Sequence, residues 1–279
     1  MTIDTHSHLN FNAYKEDADE VVKRSLRDGV WMVNVGSTYE TSLRAIKIAE
    51  RYDKGVYAAV GLHPIHLAEG IFKAKLDKEE VSFQTKEEDF DYEKYKKLTE
   101  SGKVIAIGEI GLDYYYRPKT SKKLNEYKNR QKEVLIKQLD LAEELNLPVI
   151  FHCRAAHQDL IEILKNQNGR IKGVIHCFTG NAAEMQEYLS MGFFLGLNGI
   201  IFKLDLTEVV KKAPLDRILI ETDCPYLTPE PMTGRNEPLY VKYVAEKIAE
   251  IKKLSCQEII NVTFNNAVKL FNLNGQIQS

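Results

Sequence analysis

The chain has 279 residues, 44% of them hydrophobic and 28% charged, with a formal net charge of −2. That composition is ordinary for a globular protein, and the near-neutral charge argues against a broad nucleic-acid-binding field while leaving room for a local basic patch. No apolar run reaches the roughly 18–20 residues that span a bilayer, and the start lacks a signal-peptide pattern, so the expectation is a cytoplasmic protein with no membrane partner.

In chain order, Ile3-Asp4-Thr5-His6-Ser7-His8 is a short apolar start that ends in two histidines one residue apart. On a strand, residues i and i+2 point the same way, so both imidazoles face one side, a poor core but a good metal site. Tyr14 to Asp28 has helical spacing, with Ala18, Val21, Val22, Ser25 and Leu26 as its inner stripe, and Gly29 ends it. Strands are expected at Val30–Val35 and Val56–Val60, with a helix over Thr38–Arg51 between them. From Ala68 to Gly102 the rhythm breaks. Seven Lys and eight Asp or Glu between Lys73 and Lys97 read as a solvated helical excursion.

Further strands follow at Val104–Glu109, Pro148–His152, Gly173–His176, Phe193–Leu197 and Arg217–Thr222. The intervening helices are Lys122–Leu145, Ala156–Asn166, Ala182–Ser190 and Leu206–Lys212, and Pro238–Lys253 and Cys256–Phe271 finish the chain. Eight apolar strands alternating with helices favour a closed (β/α)8 TIM barrel over an open doubly wound sheet, and no glycine-rich nucleotide fingerprint follows the first strand. The expected architecture is therefore α/β, one domain over 1–279, with a C-terminal helix and a charged helical excursion between the third and fourth strands. Cys153, Cys177, Cys224 and Cys256 form no CxxC pair and read as reduced thiols.

Barrel enzymes build their sites at the C-terminal ends of the strands. There this sequence places His6 and His8, Glu109, His152, His176 and Asp223, so four of the seven histidines share that location with two carboxylates. Six such ligands exceed the need of one tetrahedral ion and suit two ions sharing a carboxylate, with Glu109 as the natural bridge. Cys153, Cys177 and Cys224 each follow a proposed ligand, so alternation points their thiols into the helix layer, least firmly for Cys224. Asp4 is expected to support His6 by a hydrogen bond, and His66 and His157 to lie on the surface or within helices.

These residues also carry a resemblance. His6-Ser7-His8, GEIGLDYY from Gly108, HCR from His152, HCFTG from His176 and ETDCPYLTP from Glu221 closely resemble the TatD family of metal-dependent deoxyribonucleases. So do Gly61-Leu62-His63-Pro64 and Arg235-Asn236-Glu237-Pro238. The resemblance implies a metal-dependent barrel hydrolase cleaving phosphodiester bonds, often from a 3′ DNA end. It implies one ion on His6, His8, Glu109 and Asp223 and another on Glu109, His152 and His176. Many amidohydrolase-like barrels bridge their metals with a modified lysine after strand four; here that position is Glu109.

Phosphodiester hydrolysis needs well over ~10 kcal/mol of barrier lowering, and general-base help supplies only about 3–5 kcal/mol, so metal activation of water is required. Asp223 is expected both to ligate metal and to accept the proton, with Glu109 as its catalytic companion. The mixed ligand set admits Zn, Mg, Mn, Fe or Ni as the two divalent ions. His63 and Arg154 are positioned to hold phosphate, although His63 reads equally as a cap over the strand-three turn. Tyr114 and Tyr115 open a stretch to Lys132 with seven Lys or Arg and one Glu, suited to stacking and phosphate attraction. The same stretch also reads as a solvated helix start with its tyrosines packed on the barrel. The expected partner is nucleic acid, a DNA end in the first place, and the chain is expected to be monomeric. Two other readings fit: D-aminoacyl-tRNA deacylation on the same metal site, and a non-catalytic metal-binding scaffold.

Overall fold

Every one of the eight apolar segments becomes a parallel strand in the computed structural model, which describes residues 1–68, 73–74, 83–84, 87–118 and 120–277. The strands are β1 (Thr2–Ser7), β2 (Val30–Val35), β3 (Val56–Val60), β4 (Val104–Asp113), β5 (Val149–Arg154), β6 (Gly173–Ile175), β7 (Phe194–Leu197) and β8 (Ile218–Ile220), hydrogen-bonded in that order. Helices α1 (Ala18–Arg27), α2 (Tyr39–Ala49), α3 (Tyr92–Leu98), α4 (Ser121–Glu144), α5 (His157–Asn166), α6 (Ala182–Ser190), α7 (Thr207–Lys212), α8 (Val241–Lys252), α9 (Cys256–Leu270) and α10 (Asn274–Ile277) surround them. Among the described residues no helix is long and apolar enough to cross a membrane.

The strands are apolar without interruption because both faces are buried. On β2, Trp31, Val33 and Val35 join an inner cluster with Ile3, Ala59, Ala106, Ile150, Val174 and Leu219, while Val30 and Met32 pack outward against the helices. The inner cluster also takes in Ala267, Val268, Leu270 and Phe271 from the end of α9 and its exit, so the C-terminal helix closes the floor of the barrel. The opposite end is left for polar side chains.

Closure between β1 and β8 rests on few bonds. Thr5 donates its hydroxyl to the Ile220 carbonyl (3.1 Å), Asp223 N–H donates to His6 O (2.8 Å), and His8 N–H donates to Cys224 O (2.9 Å). Two glutamines fix the C-terminal end of β4 and the turn after β3. Gln131 and Gln138 lie two turns apart on α4, hence on one face. Gln131 brackets the backbone of Asp113 and Gln138 that of Leu62, each through both N–H and C=O.

Among the described residues the charged excursion holds a two-residue antiparallel pair, Lys73–Ala74 with Phe83–Gln84, before α3; residues 69–72, 75–82 and 85–86 of the expected helical stretch lie outside the described residues. Its return is pinned to α4, where Arg130 pairs with Glu87 and with Asp89 (2.7 Å to Asp89). The basic stretch at the start of α4 is thereby partly neutralised, and Lys132 pairs with Asp159 (2.8 Å). His66 and His157, expected on the surface or within helices, lie in helical turns and are buried: His66 in the short 3-10 helix Pro64–Leu67 and His157 at the start of α5, where its Nδ1 lies 3.0 Å from the Tyr188 hydroxyl.

Candidate metal centre

β1 is not a regular strand. Ile3 packs in the inner cluster, yet His6, an odd number of residues later, also faces the barrel axis. A register shift between Asp4 and Ser7 reconciles the two, because one slipped residue reverses the side-chain alternation. β4 shifts in the same way between Gly108 and Ile110, which turns Glu109 inward.

Glu109 is the hub. Its Oε2 lies 3.6 Å from His6 Nε2 and 3.9 Å from His8 Nε2. Its Oε1 lies 2.8 Å from His152 Nδ1, 3.4 Å from His63 Nε2 and 3.6 Å from His176 Nε2. Asp223, three residues past β8 with left-handed backbone (φ 58°), puts Oδ1 3.3 Å from His8 Nε2 and 3.8 Å from His6 Nε2. The Nε2 atoms of His6 and His8 are themselves 3.1 Å apart. All six residues expected to ligate metal thus meet at one mouth of the barrel.

The donor set fits divalent cations. Nitrogen and oxygen ligands about 2.0–2.2 Å from one ion lie roughly 3–3.5 Å from each other, and these contacts cluster near that spacing. The groups whose ligand atoms converge within 4.8 Å are His6 with Glu109 and His176; His6 with His8 and Asp223; His63 with Glu109 and His152; and His176 with Cys177 and Asp223.

Outer partners orient the imidazoles. His8 Nδ1 lies 2.8 Å from Val35 O, His152 Nε2 lies 3.0 Å from Asp113 Oδ2, and His176 Nδ1 lies 2.8 Å from Glu221 Oε1. Such carboxylates set the tautomer and raise the basicity of a ligating histidine. Glu221 fits only because residue 196 is glycine, since a Cβ there would stand 2.4 Å from Glu221 Oε2. Asp113 and Glu221 carry no role expected from residue type and spacing, although both lie inside the quoted motifs. Glu221 shares strand-alternation parity with Asp223, which was the available signal.

The electrostatics follow from this crowding. Burial pushes the Glu109 carboxyl up, but His63, His152 and His6 outweigh it and hold it well below the usual range. Burial likewise opposes charge on Asp223, and His176, His8 and His6 lower it overall. Burial and the neighbouring His176 depress His6 to about 4. The cluster is a set of anionic oxygens interleaved with imidazoles, the environment a dication requires.

Several expectations change. Cys153 and Cys224 do pack outward, but Cys177 does not: β6 ends at Ile175, Cys177 has left-handed backbone (φ 45°), and its Sγ sits beside His176 and Asp223. Its thiol donates to Asn198 Oδ1 (3.5 Å). Asp4 accepts the backbone N–H of His6 (3.2 Å) and does not reach its ring. His63 acts as the cap, its Nδ1 accepting from Ile65 N–H (3.1 Å), and its Nε2 also faces Glu109. Tyr114 is not a stacking surface: it is buried, its hydroxyl donates to Asp159 (2.7 Å), and Lys128 covers its ring at 4.3 Å. Tyr115 is 58% exposed, with the Arg154 guanidinium 3.9 Å above its ring.

Comparison with known proteins agrees with this geometry. Residues 3–272 match the family described as TatD related DNase. The chain is 43% identical to the uncharacterized metal-dependent hydrolase YabD of Bacillus subtilis, over 98% of this chain and 100% of that protein. It is 32% identical to the 3′-5′ ssDNA/RNA exonuclease TatD of Erwinia tasmaniensis, over 95% of this chain and 98% of that one. The crystal structure of YJJV, a TatD homologue from Escherichia coli, superposes with a TM-score of 0.81 at 30% identity, covering 97% and 98% of the two chains. The chain belongs to the TatD related DNase family and, with it, to the metal-dependent hydrolases.

Proposed function

We propose that this protein cleaves phosphodiester bonds at the 3′ end of single-stranded nucleic acid, DNA first, with two divalent ions. The carrying observation is the division of labour at Glu109, whose Oε2 faces His6 and His8 while Oε1 faces His63, His152 and His176. A carboxylate presenting one oxygen to each of two ligand sets is the arrangement a bridging ligand needs. His6, His8, Glu109 and Asp223 would hold one ion, and Glu109, His152 and His176 the other, with His63 beside it. Bound there, such ions would supply Lewis-acid charge to a phosphoryl oxygen and would lower the pKa of water toward about 7. Asp223 is held deprotonated by its imidazole neighbours and is the proton acceptor. Arg154 and Tyr115 at the rim take a phosphate and a terminal base. The cluster draws its side chains from strands around the whole barrel, which supports reading 1–279 as one domain.

The exonuclease named among the relatives supports the substrate class. The test is digestion of a 5′-labelled single-stranded oligonucleotide after chelation and after return of Mn²⁺, Mg²⁺ or Zn²⁺. Stepwise shortening that returns with metal is expected. Absence of turnover with every ion, in protein shown to bind metal, would overturn the nuclease reading.

A further inference from the structure

Asp113 ends β4 with both carboxylate oxygens committed in different directions. Oδ2 lies 3.0 Å from His152 Nε2, on the side of that ring away from Glu109. Oδ1 accepts the backbone N–H groups of Tyr115 (2.9 Å) and Tyr116 (3.1 Å). The Asp113 backbone is itself fixed, because Gln131 of α4 donates to its carbonyl (2.9 Å) and accepts its N–H (2.8 Å). Asp113 is 1% exposed and is not among the groups converging on the centre, so it has no contact with a reacting atom of its own.

We propose that Asp113 is a positioning residue that holds two parts of the site with one side chain, the tautomer of His152 through Oδ2 and the Tyr115–Tyr116 turn through Oδ1. An ionised carboxylate accepts only, so Asp113 keeps a proton on Nε2 of His152; Nδ1, 2.8 Å from Glu109 Oε1, donates to that carboxylate without metal and would present its lone pair once an ion replaced that proton. The same carboxylate fixes the turn that carries Tyr115, whose ring lies under Arg154. Movement of either part is therefore felt at the other through a buried, backbone-clamped group. The inference rests on the metal-centre reading above.

Two variants separate the two oxygens. Asp113→Asn keeps one amide oxygen for the Tyr115 and Tyr116 N–H groups but offers an N–H to His152, which favours the wrong tautomer. Asp113→Ala removes both functions. The measurements are Mn²⁺ titration followed by the EPR signal of the free ion, and chymotryptic cleavage after Tyr115 and Tyr116 read by fragment mass. For Asp113→Asn, affinity for one Mn²⁺ falls about 10–100-fold, the usual effect of losing a histidine's outer carboxylate, while cleavage at the turn stays at the wild-type rate. For Asp113→Ala the affinity falls similarly, and cleavage rises about tenfold or more as two backbone hydrogen bonds are lost. Wild-type Mn²⁺ affinity in Asp113→Asn overturns the proposal, as does equal loosening of the turn in both variants. Should Asp113→Ala fail to fold, the Asn variant alone decides the metal arm. If the wild-type protein itself bound no Mn²⁺, the metal-centre reading would fall instead.

Discussion

Asp4 on β1 grips Thr222, the second residue past β8, accepting its backbone N–H at 2.8 Å and its hydroxyl at 2.5 Å across 218 residues of sequence. The same carboxylate accepts the His6 N–H, so one buried group ties the backbone entering His6 to the backbone entering Asp223. Burial pushes its carboxyl well above the usual range, against those hydrogen bonds. Asp4→Ala strands three donors and should lower unfolding free energy by roughly 2–5 kcal/mol. Asp4→Asn, which retains an acceptor, should cost less than half as much. Urea unfolding of both variants checks the order, and equal losses would contradict it.

Glu109 serves two ligand sets, whereas His63 touches one, so their substitutions should differ in kind. Glu109→Gln keeps the shape and removes the charge, and should lower the affinity of each ion of the proposed pair. His63→Ala should weaken one ion if His63 ligates, or raise KM with metal binding intact if it holds phosphate. Calorimetric metal titration beside KM and kcat separates these outcomes.

Tyr115 and Tyr114 are adjacent in sequence and opposite in environment. Stacking of a base on an aromatic ring is worth about 1–3 kcal/mol, so Tyr115→Ala should raise KM for an oligonucleotide roughly 5–100-fold with little change in kcat. Tyr114→Phe should leave both constants unchanged and lower stability by about 1 kcal/mol, through loss of its bond to Asp159.

Without metal, protons hold the cluster together. Burial opposes charge on His176, but Glu221 and Asp223 prevail and push it up to about 10. Burial likewise opposes charge on His152, and Asp113 with Glu109 pushes it up to about 9. Both values lie above the unfolded-state value of about 6.5. Their contribution to stability is therefore full below that value and lost as pH rises through the folded values. The Tm of chelated protein should fall from pH 6.5 to 10, and His176→Asn should flatten the fall. Metal-loaded protein should not show it, because ligated imidazoles carry no such proton.

The eight strands, their order along the chain and the six residues that meet at one mouth of the barrel were legible in the sequence. Apolar runs buried on both faces leave a local signature, and histidines and acids at strand ends stand out against it. Strand boundaries were less legible: β4 extends to Asp113, well past Glu109, because its last residues pair with β5 through Arg154. That extension is why Asp113 was overlooked.

Regular alternation also misled where the backbone departs from it. Register shifts on β1 and β4 and the left-handed backbone at Cys177 and Asp223 re-aim side chains by amounts no periodicity contains. Cys177 turned toward the centre for that reason. Tyr114 and Tyr115 could not be told apart locally, since Asp159 of α5, Lys128 of α4 and the Arg154 guanidinium distinguish a buried ring from an exposed one. Which residues can bind metal is thus written in residue type and spacing. Which oxygen faces which imidazole depends on contacts between elements distant in the chain, and the closed barrel alone sets those.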